Sequence, residues 1–287
     1  MGNAALSVFL GIFFAYYFKI SNTFYSRRVG TIPLQIGIVI LGATISMPYA
    51  LNVSSEYLPW ISLFVIISFF SGLILGRILG IHHRVAFLLS SGAAICGGTA
   101  MAAVAPIIKA KPQELLVAMT IVFLLNAIAI IFFPIVGSYL EMSNFEFGAW
   151  SALVIHDTSS VIGAALSYSN ESAQAAATLK LGRTIWLIPL ILIANWIRNK
   201  QIKATRFPIF ILFFMVAIFT NSILNLNGEI TNFLQILSQA FLLIGLFCIG
   251  SQFDPNEMKS ISSKPLIMAL IIWAVVIPSA YALVKYF

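Results

Sequence analysis

The residues best suited to chemistry form a polar cluster inside a long hydrophobic segment. The stretch WSALVIHDTSSVIGAALS, residues 150–167, contains five consecutive side chains that form hydrogen bonds: His156, Asp157, Thr158, Ser159 and Ser160. A charge at the centre of a bilayer costs from about 2.5 to more than 10 kcal/mol, so such residues usually face protein or a watery cavity and mark function. The cluster therefore needs partners in neighbouring segments.

Two cations on the following segment are the candidate partners. Lys180 and Arg183 are three residues apart, so they share one face of a helix. We expect the two segments to form a hairpin that turns near Asn170, and both Asp157 and Arg183 lie 13 residues from that turn. At about 1.5 Å per residue, both are then roughly 20 Å from the turn, past the middle of the hydrocarbon.

The charge balance of this cluster predicts an anion-binding site. Asp157 cancels one of the two cations, which leaves one positive charge beside the three hydroxyl side chains that follow it. We predict that Lys180, Arg183 and these hydroxyls bind a small anionic substrate, with His156 and Asp157 as a proton-coupling or a structural pair. The alternative is a purely structural ion pair between Asp157 and Arg183 that locks the hairpin.

The composition predicts elements that cross a membrane. The 287 residues are 60% hydrophobic and 9% charged, with a mean hydropathy of +1.00, whereas a soluble domain is about a quarter charged. We predict an all-α polytopic membrane protein, because a helix satisfies its own backbone polar groups inside lipid. About ten transmembrane helices are expected, at 4–20, 30–50, 59–80, 85–108, 114–138, 147–169, 172–198, 207–226, 230–253 and 265–286.

Basic residues predict the orientation in the membrane. Most Lys and Arg lie in the loops after the first, third, seventh and ninth spans, which places both termini outside the cytoplasm. The acidic loop LEMSNFE, residues 140–146, is an exception, because the same count of spans places it in the cytoplasm. These loops explain the net charge of +7, which gives no reason to expect nucleic-acid binding.

Two spans contain small residues that can interrupt a helix. The fourth has Cys96-Gly97-Gly98-Thr99 and the ninth has Cys248-Ile249-Gly250-Ser251, which share the pattern C-x-G-[ST]. Because interrupted helices in two inverted halves are typical of transporter sites, we predict two inverted five-helix repeats, 1–138 and 147–287, with discontinuous crossing helices. The expected helix breaks are Cys96, Cys248 and Gly250, and the expected anion contacts are Gly97, Gly98, Thr99 and Ser251. Small residues that only permit close helix packing are the alternative.

Three motifs in this order resemble one protein family. AICGGTA at 94–100, IHDTSSV at 155–161 and KLGR at 180–183 are similar to motifs of the YeiH-type family of bacterial inner-membrane proteins, which are described as sulfate exporters. The resemblance implies a fold like that of sodium/proton antiporters and bile-acid symporters. In such a fold a scaffold domain holds a core with two crossing broken helices, here the fourth and ninth spans. The motifs point to Cys96, Gly97, Gly98, Thr99, His156, Asp157, Thr158, Lys180 and Arg183. The family often has glutamine at the position of Ser160.

These observations predict a secondary transporter and not an enzyme. The expected substrate is a small oxyanion such as sulfate, sulfite or an organic sulfonate, moved by alternating access. The sulfur and the direction of export come from the resemblance alone. A proton or a sodium ion is the candidate coupling ion, and a passive anion channel is the alternative function. A hydrolase is not expected, because adjacent helical residues such as His156 and Asp157 project about 100° apart. Beyond the lipid bilayer, a second copy in a homodimer is a candidate partner, and neither a metal nor another cofactor is expected.

Overall fold

The computed structural model describes residues 4–18, 31–197, 209–224, 226–251 and 263–286, and the regular structure within these ranges is helical. The helices in chain order are α1 (Ala4–Phe18), α2 (Thr31–Gly42), α3 (Met47–Ile78), α4 (His83–Ala94), α5 (Gly98–Val104), α6 (Pro112–Tyr139), α7 (Asn144–Val154), α8 (Thr158–Tyr168), α9 (Asn170–Thr184), α10 (Leu187–Ile197), α11 (Ile209–Leu224), α12 (Gly228–Gly250) and α13 (Ser263–Tyr286). The all-helical fold class is therefore confirmed for the described residues.

Eight of the ten predicted spans correspond to apolar helical elements. Five of these are long enough to cross a membrane: α3, α6, the consecutive α9 and α10, α12 and α13. The other three, α1, α2 and α11, are shorter apolar helices, each next to residues outside the described ranges. The two remaining predicted spans, 85–108 and 147–169, are broken into the pairs α4–α5 and α7–α8.

The fourth predicted span folds back as a helical hairpin and does not cross the membrane. The chain turns at residues 95–97 between α4 and the short α5, and contacts at the start of α6 show that it returns to the end where α4 began. The Glu114 carboxylate in the first turn of α6 lies 3.3 Å from Nδ1 of His82 and 3.8 Å from a guanidinium nitrogen of Arg84. A crossing segment would separate the start of α4 from the start of α6 by about 30 Å of hydrocarbon.

The sixth predicted span is a second hairpin, and it enters from the opposite face. The start of α7 lies beside the end of α8, because the ring of Phe147 stacks on Tyr168 with 4.2 Å between centroids. The Asn144 side chain also donates to the Glu171 carboxylate, just beyond α8, at 3.0 Å. α6, which connects the two hairpins, is long and apolar enough to cross a membrane, so their bases lie at opposite ends of the protein. The expectation of ten crossing helices is wrong at these two segments, which are re-entrant.

The break predicted in the ninth span also differs from the structure. α12 continues without interruption through Cys248 to Gly250, so Cys248 does not break a helix. A Cβ atom on Gly250 would lie 2.2 Å from the Val8 carbonyl oxygen of α1, so this glycine permits close packing of two helices. α12 ends at Gly250 and residues 252–262 lie outside the described residues, so a helix break at Gly250 stays a prediction. The division into repeats 1–138 and 147–287 stays a prediction.

α9 packs directly against the second hairpin and contacts the first hairpin through the Arg183 side chain. Its first turns are rich in alanine, and Ala173, Ala175, Ala176 and Ala177 are fully buried against α7, α8 and α3. Small side chains let these helices approach closely, which brings the last turn of α9 to the middle of the protein. α1, α2, α11 and α12 pack mainly on one another and form a second group at the side.

The two faces of the protein differ in charge among the described residues. The face where α4 begins bears Arg77, Arg84, Lys109, Lys111 and Lys264, with Glu114 as its acidic residue. The face where α7 begins bears Glu141, Glu146 and Glu171, and its described cation is Lys285, 3.1 Å from Glu146. We call these the basic face and the acidic face. The re-entrant hairpins thus move the loop 140–146 away from the basic residues; the basic loops at 19–28 and 198–206, and Lys259, lie outside the described residues.

The hairpins can be tested with single cysteines in a variant in which Cys96 and Cys248 are replaced by alanine. His83→Cys and Lys109→Cys should react with a membrane-impermeant maleimide from one face, since both are exposed beside the base of the first hairpin. Glu141→Cys and Glu171→Cys should react from the other face. Labelling of positions 83 and 109 from opposite faces would restore a crossing fourth span and contradict the hairpin.

Candidate functional site

The tips of the two hairpins meet in the middle of the protein. We define the tips as residues 95–97 and 155–157, which separate α4 from α5 and α7 from α8. Gly97 has a φ of +60°, which side-chain-bearing residues rarely adopt, and a Cβ there would lie 3.3 Å from the backbone nitrogen and Cα of Asp157. Glycine at position 97 therefore allows both the sharp turn and the direct contact between tips.

The first half of each hairpin ends inside the membrane, where its last carbonyl groups need donors. A helix leaves its last four carbonyls unpaired, and in lipid each unpaired group costs several kcal/mol. In α4 these are Ser91, Gly92, Ala93 and Ala94. The N–H groups of Ile95 and Gly97 bond to the first two. Arg183 bonds to the other two, with Nε donating to Ala94 at 2.6 Å and Nη2 donating to Ala93.

The same arginine also donates to the last carbonyl groups of α7. Its Nη1 donates to the Leu153 carbonyl at 2.6 Å and to the Ala152 carbonyl at 3.1 Å. The N–H of Ile155 bonds to Ser151 at 3.0 Å, and the indole nitrogen of Trp273 donates to Val154 at 3.1 Å. All four final carbonyls of both helices are therefore satisfied, and one guanidinium joins the two ends.

Lys180 completes this arrangement on the same face of α9. Its ammonium donates to the Ile155 carbonyl in the second tip at 2.6 Å and more weakly to Ala152 at 3.4 Å. Both cations are fully buried, and the negative ends of two helix dipoles lie against them. The predicted ion pair between Asp157 and Arg183 is wrong, because the guanidinium bonds to carbonyl groups. Lys180 and Arg183 therefore hold the two hairpins together through their carbonyl groups. That either side chain also contacts an anion stays a prediction.

The second half of each hairpin begins at the tips and presents N–H groups. Asp157 is the N-cap of α8, and its Oδ2 accepts from the N–H and the hydroxyl of Ser160 at 3.1 and 3.2 Å. α5 begins at Gly98, and its N-cap Gly97 has no side chain to accept from the first N–H groups. Among the described residues, no acceptor is found for the N–H groups of Gly98, Thr99, Thr158 and Ser159. These four N–H groups are the positive ends of two helices.

Three of the four residues that carry these N–H groups are at least partly exposed. Thr99 is exposed, Gly98, Asp157 and Ser159 are half-buried, and Thr158 is buried. Polar backbone at the depth of the hairpin tips is tolerated only where it lines water or protein. The N-terminal ends of α5 and α8, with Asp157 between them, are therefore the candidate binding site. Among the described residues, no three His, Cys, Asp or Glu side chains converge as metal ligands.

His156 has a different partner from the one its position in the sequence suggests. Its backbone N–H and its Nδ1 both lie 3.2 Å from Oδ1 of Asn126 on α6, and its ring is 6.0 Å from that of Trp273. His156 and Asp157 lie in a tip and not on a helix, so the angular argument against a hydrolase does not apply. A catalytic triad is disfavoured instead because the Asp157 carboxylate bonds to Ser160 and not to the imidazole.

Three further features were not assigned to the site from the sequence. The break at 155–157 had a signal, because Asp followed by Thr and Ser is a common helix start even inside an apolar segment. Asn126 and Trp273, which hold the second tip, had none beyond their polarity.

Ser251, predicted to bind the anion, ends α12 beside Gly11 of α1, and its hydroxyl donates to the Cys248 carbonyl at 2.7 Å.

A cavity near the cations is unsuited to an anion. It has a volume of about 490 Å³, lies between α3 and α13, and is lined mainly by apolar side chains such as Leu63, Ile67 and Ile271. The ring of Phe64 forms part of its wall and also covers Arg183, with 5.7 Å from the guanidinium carbon to the ring centroid. The aromatic ring thus separates the charge from this apolar space.

Replacing Arg183 with lysine tests the role of the guanidinium. A lysine ammonium has three N–H groups in place of the five of the planar guanidinium, so it cannot donate to four carbonyl groups on two helices. Since each buried carbonyl without a donor costs about 1–3 kcal/mol, we expect Arg183→Lys to lose on the order of 3 kcal/mol of stability. Thermal unfolding in detergent measures this, with exposed Arg77→Lys as the control. An unchanged unfolding temperature for Arg183→Lys would show that the carbonyls find other donors.

Comparison with known proteins identifies the family. The family described as "Conserved hypothetical protein 698" matches residues 1–269. A UPF0324 membrane protein of Bacteroides thetaiotaomicron is 35% identical over 284 residues, which cover 98% of this chain and 86% of the relative. Another, from Shewanella oneidensis, is 37% identical over 254 residues, 88% of this chain and 80% of the relative. No solved structure gives a significant match. The chain therefore belongs to the family of conserved hypothetical protein 698, and its relatives are named as UPF0324 membrane proteins.

Proposed function

We propose that the protein is a secondary transporter for a small oxyanion, such as sulfate, sulfite or an organic sulfonate. The observation that carries the proposal is the set of open N–H groups at Gly98, Thr99, Thr158 and Ser159. Helix N-termini bind anions through such groups and through the helix dipole. Two N-termini from opposite hairpins converge here, which is typical of transporter sites built from discontinuous helices.

The position of Asp157 supports coupling of the anion to a cation. Its carboxylate lies at the start of α8, next to the N–H groups that would hold the substrate. An ionised Asp157 repels an anion, and a proton or a sodium ion bound to it removes that repulsion. Anion binding and cation binding then favour each other, as cotransport requires. Asp157 is a better coupling site than His156, which is buried against Asn126.

The hydroxyl side chains beside these N–H groups are expected to complete the site. Removing them in the double variant Thr99→Val/Ser159→Ala takes away hydrogen bonds to a charged ligand, so the KM for the anion should rise at least tenfold. Efflux of radiolabelled sulfite and sulfate from proteoliposomes measures this. Thr120→Val is the matched control, because that hydroxyl is exposed and donates to the carbonyl of Leu116 on its own helix. Equal KM values for the double variant and the wild type would contradict the site.

The same proteoliposomes distinguish a transporter from a passive channel. A transporter that moves helices against one another turns over at up to about a thousand cycles per second and shows accelerated exchange when anion is present on both sides. A channel gives electrical currents far above that rate. If the wild type moves none of the tested anions under any gradient, the proposed function is wrong.

We propose that the basic face is cytoplasmic and that both termini are on the other side. Five of the six described basic residues outside the membrane interior lie on this face, in agreement with the positive-inside rule. In intact cells, an impermeant maleimide should label Glu141→Cys without lysis and His83→Cys only after lysis. The reverse pattern would invert the orientation.

A further inference from the structure

The buried side chain of Asn126 has a donor without an acceptor. Asn126 lies on α6 and is 1% exposed, and its Nδ2 has no hydrogen-bond partner among the described residues. The orientation of the amide is fixed by chemistry, because the backbone N–H of His156 is a donor and requires the oxygen of Asn126 opposite it. The amide nitrogen must therefore point away from that N–H.

A buried donor without an acceptor destabilises the folded protein unless a ligand or a water molecule accepts its hydrogen bond. A buried donor without an acceptor costs about as much free energy as a hydrogen bond contributes, and such groups are rare in native proteins. Asn195 on α10 shows the usual solution, since its Nδ2 donates to the Ile191 carbonyl at 3.0 Å. The Nδ2 of Asn126 makes no such bond to a carbonyl of its own helix, although Asn126 also lies within a regular helix.

α6 places this donor at the hairpin tips. Phe123, one turn before Asn126, is the neighbour of Gly98 at the start of α5, with 3.3 Å from its ring to the position of a Gly98 Cβ. Asn126 itself contacts the second tip through His156. One face of α6 thus touches both hairpins at the depth of the open N–H groups, and the Asn126 amide belongs to the same layer.

We infer that the Asn126 amide nitrogen is a substrate-binding group that donates to an oxygen of the transported anion. The inference rests on the proposed function and adds a specific residue to the site. The ligand must carry an acceptor, which suits an oxyanion and excludes a bare cation such as sodium at this position. His156 acts as a positioning residue, because its N–H and imidazole hold the amide in the required orientation.

Two substitutions at Asn126 test this role. Asn126→Ala removes the donor, and because hydrogen bonds to charged groups contribute about 1.5–3 kcal/mol, sulfite or sulfate affinity should fall roughly tenfold to a hundredfold. Asn126→Asp retains the oxygen that accepts from His156, so folding is preserved. Raising the pH ionises the new carboxyl group, which removes its proton and adds a repelling charge, so its anion affinity should fall further with pH than that of the wild type.

The measurement is anion-dependent thermal stabilisation of the purified protein in detergent, followed by efflux from proteoliposomes. Asn195→Ala is the matched control, because its buried amide already has a partner, and it should keep the wild-type anion affinity. If the wild type binds sulfite or sulfate and both Asn126 variants bind it equally well, the amide serves only a buried water and the inference is wrong. Tighter anion binding by Asn126→Asp at high pH would also overturn it. If the wild type binds neither anion, the proposed function fails together with the inference.

Discussion

The fold depends on satisfying the carbonyl groups of two helices that end in the middle of a membrane. No water is available there to bond to them, so a helical hairpin is tolerated only when protein donors reach its tip. Arg183 supplies four such bonds, two to each hairpin, and Lys180 supplies two more. The placement of two cations on the last turns of α9 is therefore first a requirement of the hairpins.

This arrangement separates charge across the tips. The two cations lie against the carbonyl ends of α4 and α7, while the N–H ends of α5 and α8 face the other way with Asp157 between them. The cationic side chains thus neutralise the negative helix ends and leave the positive helix ends available. A site for an anion can be formed in this way by backbone groups, although the residues that first suggest an anion are occupied elsewhere.

The sequence predicts the helical class, the turn near Asn170 and the break at Cys96 beside two glycines. It does so because these follow from hydropathy, residue spacing and glycine chemistry, which are local properties. It fails for the direction of the chain after each tip, because a returning hairpin and a crossing helix have the same length and composition. It fails also for the partners of Arg183 and His156, which are backbone groups or an asparagine from distant segments.

The pairing of Cys96 with Cys248 shows how a short pattern misleads. Both positions read C-x-G-[ST], yet Gly97 makes a turn with positive φ while Gly250 is a contact surface for α1. The loop at 140–146 did indicate the error, because it is acidic and ten crossings would place it on the cytoplasmic side, where basic loops are expected. A charge distribution that conflicts with a span count is a sign that some apolar segments are re-entrant.

The shared guanidinium has a mechanical consequence. Because Arg183 bonds to both hairpins at once, moving one tip away from the other would strip donors from carbonyls that no solvent can reach. The hairpins and α9 are therefore expected to travel as a single rigid body during any conformational cycle. Relative motion is left to the boundary with α1, α2, α11 and α12, where apolar surfaces can slide past each other without losing hydrogen bonds.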